Sequence, residues 1–213
     1  MKSPERRIQL IEAATTLFAE NGFSGTTTRE IARAAGVTEA MIFRHFENKE
    51  SLYKIVIEEY VGRSRRPEWH AEMRRCMDAN DDIELLKKLI GYVIEAYRSD
   101  PMMQRLIIFA TLEGYHREAD RACHLPKPLL KEVVAYISRR QQEGVFVAMD
   151  PLGMFQTIFG MARSFAVGRY VYKLKEISMT DDQATEMFLA FTMRSVLQKS
   201  WPAETAQPPL KKS

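Results

Sequence analysis

The residues best suited to chemistry crowd into positions 26–49, "TTTREIARAAGVTEAMIFRHFENK". Arg29 and Arg44 carry planar forks that match a phosphate or a guanine edge. Thr27, Thr28, Thr38, His45 and Lys49 add hydroxyl, imidazole and ammonium donors. These groups bind anions and base edges; no nucleophile stands among them with a base to activate it. A second cluster, "HREADRACH", spaces His116, Asp120, Cys123 and His124 at i, i+4, i+7 and i+8. Those are zinc-type ligands on one helix face. A polar surface turn before Pro126 explains the same letters, and spacing alone rarely closes a ligand set, so no metal is expected. The chain has no G-x-S-x-G, P-loop or H-E-x-x-H pattern, so neither an enzyme nor a bound cofactor is expected.

Short helices must position the donor cluster. A first helix is predicted from near Pro4, with Ile8, Ile11, Ala14, Leu17 and Phe18 on one face. Asn21 and Gly22 stop it with a left-handed residue, and Phe23 plugs the core beneath the following loop. Thr27 and Glu30 then form a capping box that opens helix two. Gly36 ends that helix; Thr38 and Asn48 are natural N-caps for helices three and four. Two helices of about two turns are marginal alone. Ile31, Ala32, Ala35, Val37, Ile42 and Phe46 must therefore pack them onto Leu10, Ala14, Phe18 and Leu52. That leaves a donor-rich outer face and makes a helix-turn-helix.

Helix four runs towards Pro67, and residues 68–82 are polar and ambiguous. Longer helical patterns follow from Ile83 to Ser99, from Pro101 into the Gly114 region and from Pro128 to Glu143. Two more run from Pro151 to about Lys173 and from Thr180 to about Lys199. Pro101 and Pro151 each suit a helix's first turn. The fold class is all-α: a small N-terminal three-helix domain (1–48), a connecting helix four (49–66) and a larger C-terminal bundle (67–199), about nine or ten helices in all. The final residues, 200–213, have the composition of a disordered tail.

Bulk properties bound the function. With 31 basic and 28 acidic residues the net charge is only +3, so any DNA footprint is a local patch. A nucleoid-type architectural binder would carry a stronger global charge. Cys76 and Cys123 lack a CxxC partner, which favours a reducing cytoplasm over a disulfide framework. No stretch approaches the roughly 18 apolar residues of a membrane helix. A cytoplasmic protein with no membrane partner is expected.

The segment "TTTREIARAAGVTEAMIFRHFENKESLYKIV" resembles the DNA-binding domain of the tetracycline-repressor (TetR) family of bacterial regulators, over roughly residues 5 to 60. The resemblance implies a homodimer whose helix three enters the major groove of a double-stranded DNA operator. It also implies a C-terminal bundle that binds a small-molecule effector. Carried onto this chain, it gives Thr27, Thr38, His45 and Lys49 phosphate contacts. Thr28, Arg29, Glu39, Ala40, Met41, Phe43 and Arg44 fall at or near base edges. Phe43 stands where the family usually has tyrosine, so a phosphate-bonding hydroxyl is missing. Arg29 and Arg44 can bond guanine, Ala40 and Met41 can touch thymine methyls, and Glu39 can accept from cytosine. Arg44 is equally suited to a phosphate, and Glu39 to the positive end of helix three. Lys49 sits at the first position of helix four, where the dipole disfavours a cation unless a phosphate docks there; the alternative is a solvated lysine.

In the bundle, Gly160, Ser164 and Gly168 recur every four residues, a stripe that admits a close helix. The last helix is apolar on more than one side, through Met187, Phe188 and Phe191 among others. The resemblance places these residues in a dimer interface of paired last helices. Met and aromatic side chains are dense between Ile90 and Phe165: Tyr92, Met102, Phe109, Phe155, Phe159 and Met161. Such walls adapt to irregular guests. With Arg105, Glu113, His116 and Arg163 as polar anchors, they form the candidate pocket for a largely apolar effector.

Overall fold

Helix signals and helix positions agree along most of this computed structural model, which describes residues 3–63, 67–115 and 125–197. The order is α1 (Ser3–Asn21), α2 (Thr28–Ala34), α3 (Glu39–His45), α4 (Lys49–Arg63), α5 (Pro67–Ala79), α6 (Asp82–Ser99) and α7 (Pro101–Leu112). Then come α8 (Lys127–Gln142), α9 (Pro151–Ala166), a π-helical turn (Val167–Val171) and α10 (Asp181–Val196). The described residues thus hold ten α-helices and one isolated bridge, between Phe146 and Leu197. The ambiguous stretch 68–82 forms most of α5: Met73, Cys76 and Met77 are buried at helical spacing, which its many charges obscured in the sequence. The pattern expected to run to Lys173 instead ends as an α-helix at Ala166 and widens into the π turn.

The chain divides into two compact units. The first comprises the described parts of 1–66 and 99–126, the second those of 67–98 and 127–213. In the first, Leu10, Ile11, Ala14 and Phe18 of α1 share one core with Ile31, Ala32, Ile42, Phe46, Leu52 and Val56. Ile8 departs from its expected face and is 50% exposed. Met103, Leu106, Ile107 and Ala110 bring α7 into the same core. The expected span 67–199 is therefore not one compact body: α7 buries its apolar stripe in the N-terminal unit, although it lies beyond α6 in sequence.

In the second unit, Leu85, Leu89, Ile90, Val93 and Tyr97 of α6 are buried, as are Val133, Tyr136 and Ile137 of α8. Asp82 at the start of α6 takes Nη2 of Arg140 at 2.5 Å and the Tyr136 hydroxyl at 2.5 Å. Both charges of this pair are largely buried, and the phenol offsets part of their desolvation.

Candidate nucleic-acid interface

The outer face of α2 and α3 depends on how the two helices are started and stopped. Thr27 has extended backbone and caps α2 through its hydroxyl, which accepts from the Glu30 amide at 3.2 Å. Glu30 reaches back to the Thr27 amide at 2.8 Å. Thr27's amide first, and then its hydroxyl, hold the Glu30 carboxyl below the ordinary carboxylate range. Gly36, at φ +62°, ends the turn where a side chain would be strained. Thr38 takes the N-cap backbone of α3, but its side chain makes no capping bond. Asn48 caps α4, its Oδ1 accepting from the Ser51 amide at 2.8 Å.

With Ile31 and Ile42 fully buried, the outer surface is fixed by helical phase. Thr27, Arg29, Thr38, Glu39, Ala40 and Arg44 are exposed, and Phe43 is 52% exposed. Thr28, Met41 and His45 are half-buried beside them. Thr28 donates its hydroxyl to Glu39 Oε1, which links the two short helices across their outer face. This link has no signature in either helix alone, since eleven residues separate its partners.

Lys49 lies differently from the other cations. Its ammonium donates to the carbonyls of Phe23 at 2.8 Å and Thr26 at 2.9 Å, and sits 4.0 Å from the Phe23 ring centre. It is half-buried within its own unit, not free in solvent.

The expected effector residues are divided by the fold. Met102, Arg105, Phe109 and Glu113 belong to the first unit, whereas Tyr92, Phe155, Phe159, Met161 and Arg163 belong to the second. Arg105 donates to the carbonyls of Ala19 at 2.9 Å and Glu20 at 3.2 Å, at the end of α1. Glu113 accepts from the amides of Phe23 at 2.8 Å and Ser24 at 2.9 Å. Both are backbone anchors within the N-terminal unit, a role that sequence reading missed. The signal was there: amides freed after a left-handed Gly22 need an acceptor, though nothing local names Glu113. In the second unit, Phe155 and Phe159 pack with ring centres 5.5 Å apart, and Arg163 Nε donates to the Tyr97 hydroxyl at 3.0 Å. A groove of about 290 Å³ beside α6 and α10 is lined by Trp69, Gly91 and Ile94 with seven charged side chains and Thr185. It is not the expected Met and aromatic wall. His116 and the set Asp120, Cys123 and His124 lie outside the described residues.

Of the expected stripe, Gly160 and Ser164 are exposed, and among the described residues nothing beyond the helix's own neighbouring backbone lies within 4 Å of a methyl placed on Gly160. Gly168 differs: the π turn brings it under Ile177, 2.6 Å from where a Cβ would stand, so it is buried by its own chain. Met187 and Phe191 are 45% and 58% exposed, one turn apart on α10. Phe188 instead turns inward, edge-on to Phe165 at 5.9 Å.

Comparison with known proteins converges on this segment. Residues 10–56 match the family described as bacterial regulatory proteins, tetR family. The chain is 32% identical over 100 residues to the HTH-type transcriptional regulator YerO of Bacillus subtilis, covering 44% of this chain and 32% of the relative. It is 26% identical over 157 residues to the HTH-type transcriptional regulator RutR of Escherichia coli, covering 74% of this chain and 72% of the relative. Among solved structures, the transcriptional regulator FadR from Bacillus subtilis, determined with stearoyl-CoA, superposes with a TM-score of 0.57 at 20% identity. That match covers 87% of this chain and 97% of FadR, a likeness of fold. The short capped helices and the relatives thus point one way: residues 10–56 are similar to bacterial regulatory proteins of the tetR family.

Proposed function

We propose that the chain is a cytoplasmic transcriptional repressor. It binds a palindromic double-stranded operator as a homodimer and is released by a small, largely apolar effector. The observation that carries this reading is the outer face of α2 and α3, where Arg29, Glu39, Ala40, Phe43 and Arg44 stand exposed above a shared core. Thr27, Thr38 and His45 hold phosphates and set register; Thr28, Arg29, Glu39, Ala40, Met41, Phe43 and Arg44 meet base edges. Without a hydroxyl, Phe43 offers a thymine methyl or sugar edge an apolar contact. Among the described residues neither Arg29 nor Arg44 carries an ion pair, so both forks are free to turn to DNA.

The exposed Gly160, Ser164, Met187 and Phe191 support pairing with a second copy through α9 and α10. The effector is accommodated by the apolar side chains of the second unit, Tyr92, Phe155, Phe159 and Met161, with Arg163 to orient it. Effector and operator must each weaken the other's binding by the same factor.

Operator geometry provides the test. Two recognition helices of a dimer meet successive major grooves about 34–36 Å apart. A duplex enriched from a random pool will be palindromic. Inserting five base pairs between its half-sites turns them by about half a turn, at about 10–10.5 base pairs per turn, and abolishes tight binding. Undiminished affinity for the spacer variant refutes the dimer reading.

A further inference from the structure

We propose that Glu39 is a specificity-determining residue of the reading face and that Thr28 positions it, so that the pair reads the amino group of a cytosine and rejects guanine and thymine there. The proposal rests on the DNA-reading role of α2 and α3 argued above.

The two short helices start alike and use their acids differently. Each follows a threonine N-cap and carries a glutamate in its first turn. Glu30 serves its own helix: its carboxylate accepts from the Thr27 amide and from the Thr27 hydroxyl, both at 2.8 Å. Glu39 has no such use. It is the first residue of α3, Thr38 makes no side-chain cap, and Met41, three residues after that cap, cannot close a capping box. Its Oε1 instead takes the hydroxyl of Thr28, the first residue of α2. Arg29 and Arg44 are exposed on the same outer face, yet among the described residues Glu39 forms an ion pair with neither. An exposed acid thus stands on a donor-rich face held by a neutral hydroxyl.

Hydrogen-bond chemistry limits what such an acid can meet. A carboxylate only accepts, and Oε1 is already occupied, which leaves Oε2 for a donor from outside. Ala40 beside it is exposed and too short to screen it. A phosphate has no hydrogen to give and carries like charge. In the major groove guanine presents the acceptors N7 and O6, and thymine presents the acceptor O4 and a methyl group. Only cytosine N4 and adenine N6 donate. Adenine sets its N7 acceptor beside the amino group, against the carboxylate, so cytosine is the better match.

The bond from Thr28 supplies the positioning. It crosses eleven residues of sequence and ties the acid to α2, so the side chain loses less freedom when Oε2 meets a base. A carboxylate at this place also suits the positive end of α3. That effect needs no contact with α2 and is blind to the base opposite, which makes the two roles separable.

The experiment uses the full chain, a duplex enriched from a random pool by the native protein, single-base variants made symmetrically in both half-sites, and a random duplex. Glu39→Ala, Glu39→Gln, Thr28→Val and Thr28→Ser are titrated against each, and thermal melting is recorded. In the native profile one cytosine is expected whose replacement by guanine or thymine weakens binding by roughly tenfold or more, the scale of a charge-assisted hydrogen bond. Glu39→Ala should flatten the profile at that position alone. It should also raise random-duplex affinity by up to about fivefold, because an acid leaves a face that meets phosphates. Glu39→Gln should raise adenine relative to cytosine there, since an amide meets adenine N6 and N7 together. Thr28→Val should blunt the cytosine preference by roughly two- to tenfold, the scale of ordering one free side chain. Thr28→Ser keeps the hydroxyl and should restore it. A lower melting temperature with an unchanged base profile in both Glu39 variants makes Glu39 a helix-end charge and overturns the proposal. A Thr28→Val chain that weakens all duplexes in step makes Thr28 a phosphate ligand and overturns the pairing. Should a variant fail to fold, the native chain decides on a duplex with N4-methylcytosine at that position, whose methyl replaces the amino hydrogen in the major groove. Binding weaker by roughly tenfold is expected, and undiminished affinity overturns the contact. A native chain that enriches no duplex overturns the operator reading itself, whereas an enriched duplex with no position sensitive to Glu39 overturns this proposal alone.

Discussion

Replacing Gly22 with alanine would place a methyl 2.9 Å from Glu113 Oε1 and 2.9 Å from the Phe109 ring, on a backbone at φ +72°. The left-handed conformation alone costs about 1–2 kcal/mol for a residue with a Cβ. Gly22→Ala should therefore lower the melting temperature, and calorimetry would show it; an unchanged transition would mean that the turn adjusts freely. Arg44 and His45 are neighbours with different expected roles. Arg44→Ala should relax preference at one base position by about 1–3 kcal/mol, whereas His45→Ala should weaken enriched and random duplexes alike. Binding to a panel of single-base variants separates them, and two identical profiles would refute the assignment. The types of these residues were legible in the sequence; the direction of Lys49 was not. A lysine's reach covers both a phosphate outside and a carbonyl inside, and the folded chain without DNA holds this one on the Phe23 and Thr26 carbonyls.

At the scale of elements, α2 and α3 followed their signals closely because caps and turns are local chemistry: the capping box at Thr27 and the reversal at Gly36 both form as the letters imply. α5 did not announce itself, because charged residues surround its buried stripe. It also carries His70, whose Nε2 is buried without a hydrogen-bond partner among the described residues and whose ring centre lies 5.8 Å from that of Tyr92. Burial, and secondarily Arg74, push the His70 pKa below its ordinary 6.5, with Glu68 opposing. The folded chain then binds fewer protons than the unfolded one between the depressed value and 6.5. Stability from this group is present above pH 6.5 and is lost as the pH falls through that window. Denaturant midpoints taken between neutral and mildly acid pH should decline, and His70→Gln should make the decline shallower. Equal slopes in the two proteins would exclude His70 as the cause.

For the whole molecule, the exposed pair Met187 and Phe191 on α10 is the apolar surface proposed above to meet a second copy. A charge there cannot be buried against a second copy without heavy desolvation. Phe191→Glu should shift the protein to monomers in sedimentation, and operator affinity should fall by orders of magnitude because one half-site loses its tethered partner. A monomeric variant that still binds the full palindrome as tightly would separate dimerisation from recognition.

Sequence by itself determined the all-helical class, the helix-turn-helix and its buried residues, since periodicity, caps and left-handed glycines act within a few residues of one another. It also marked the outward face of α3, which follows from burying Ile31, Ile42 and Phe46. Tertiary structure alone decided that α7 completes the N-terminal unit, that Arg105 and Glu113 hold backbone 85 to 90 residues away, and that Gly168 is covered by its own chain. The reason is physical. An apolar stripe specifies that it must be buried, not against what, and a free amide specifies that it needs an acceptor, not which one.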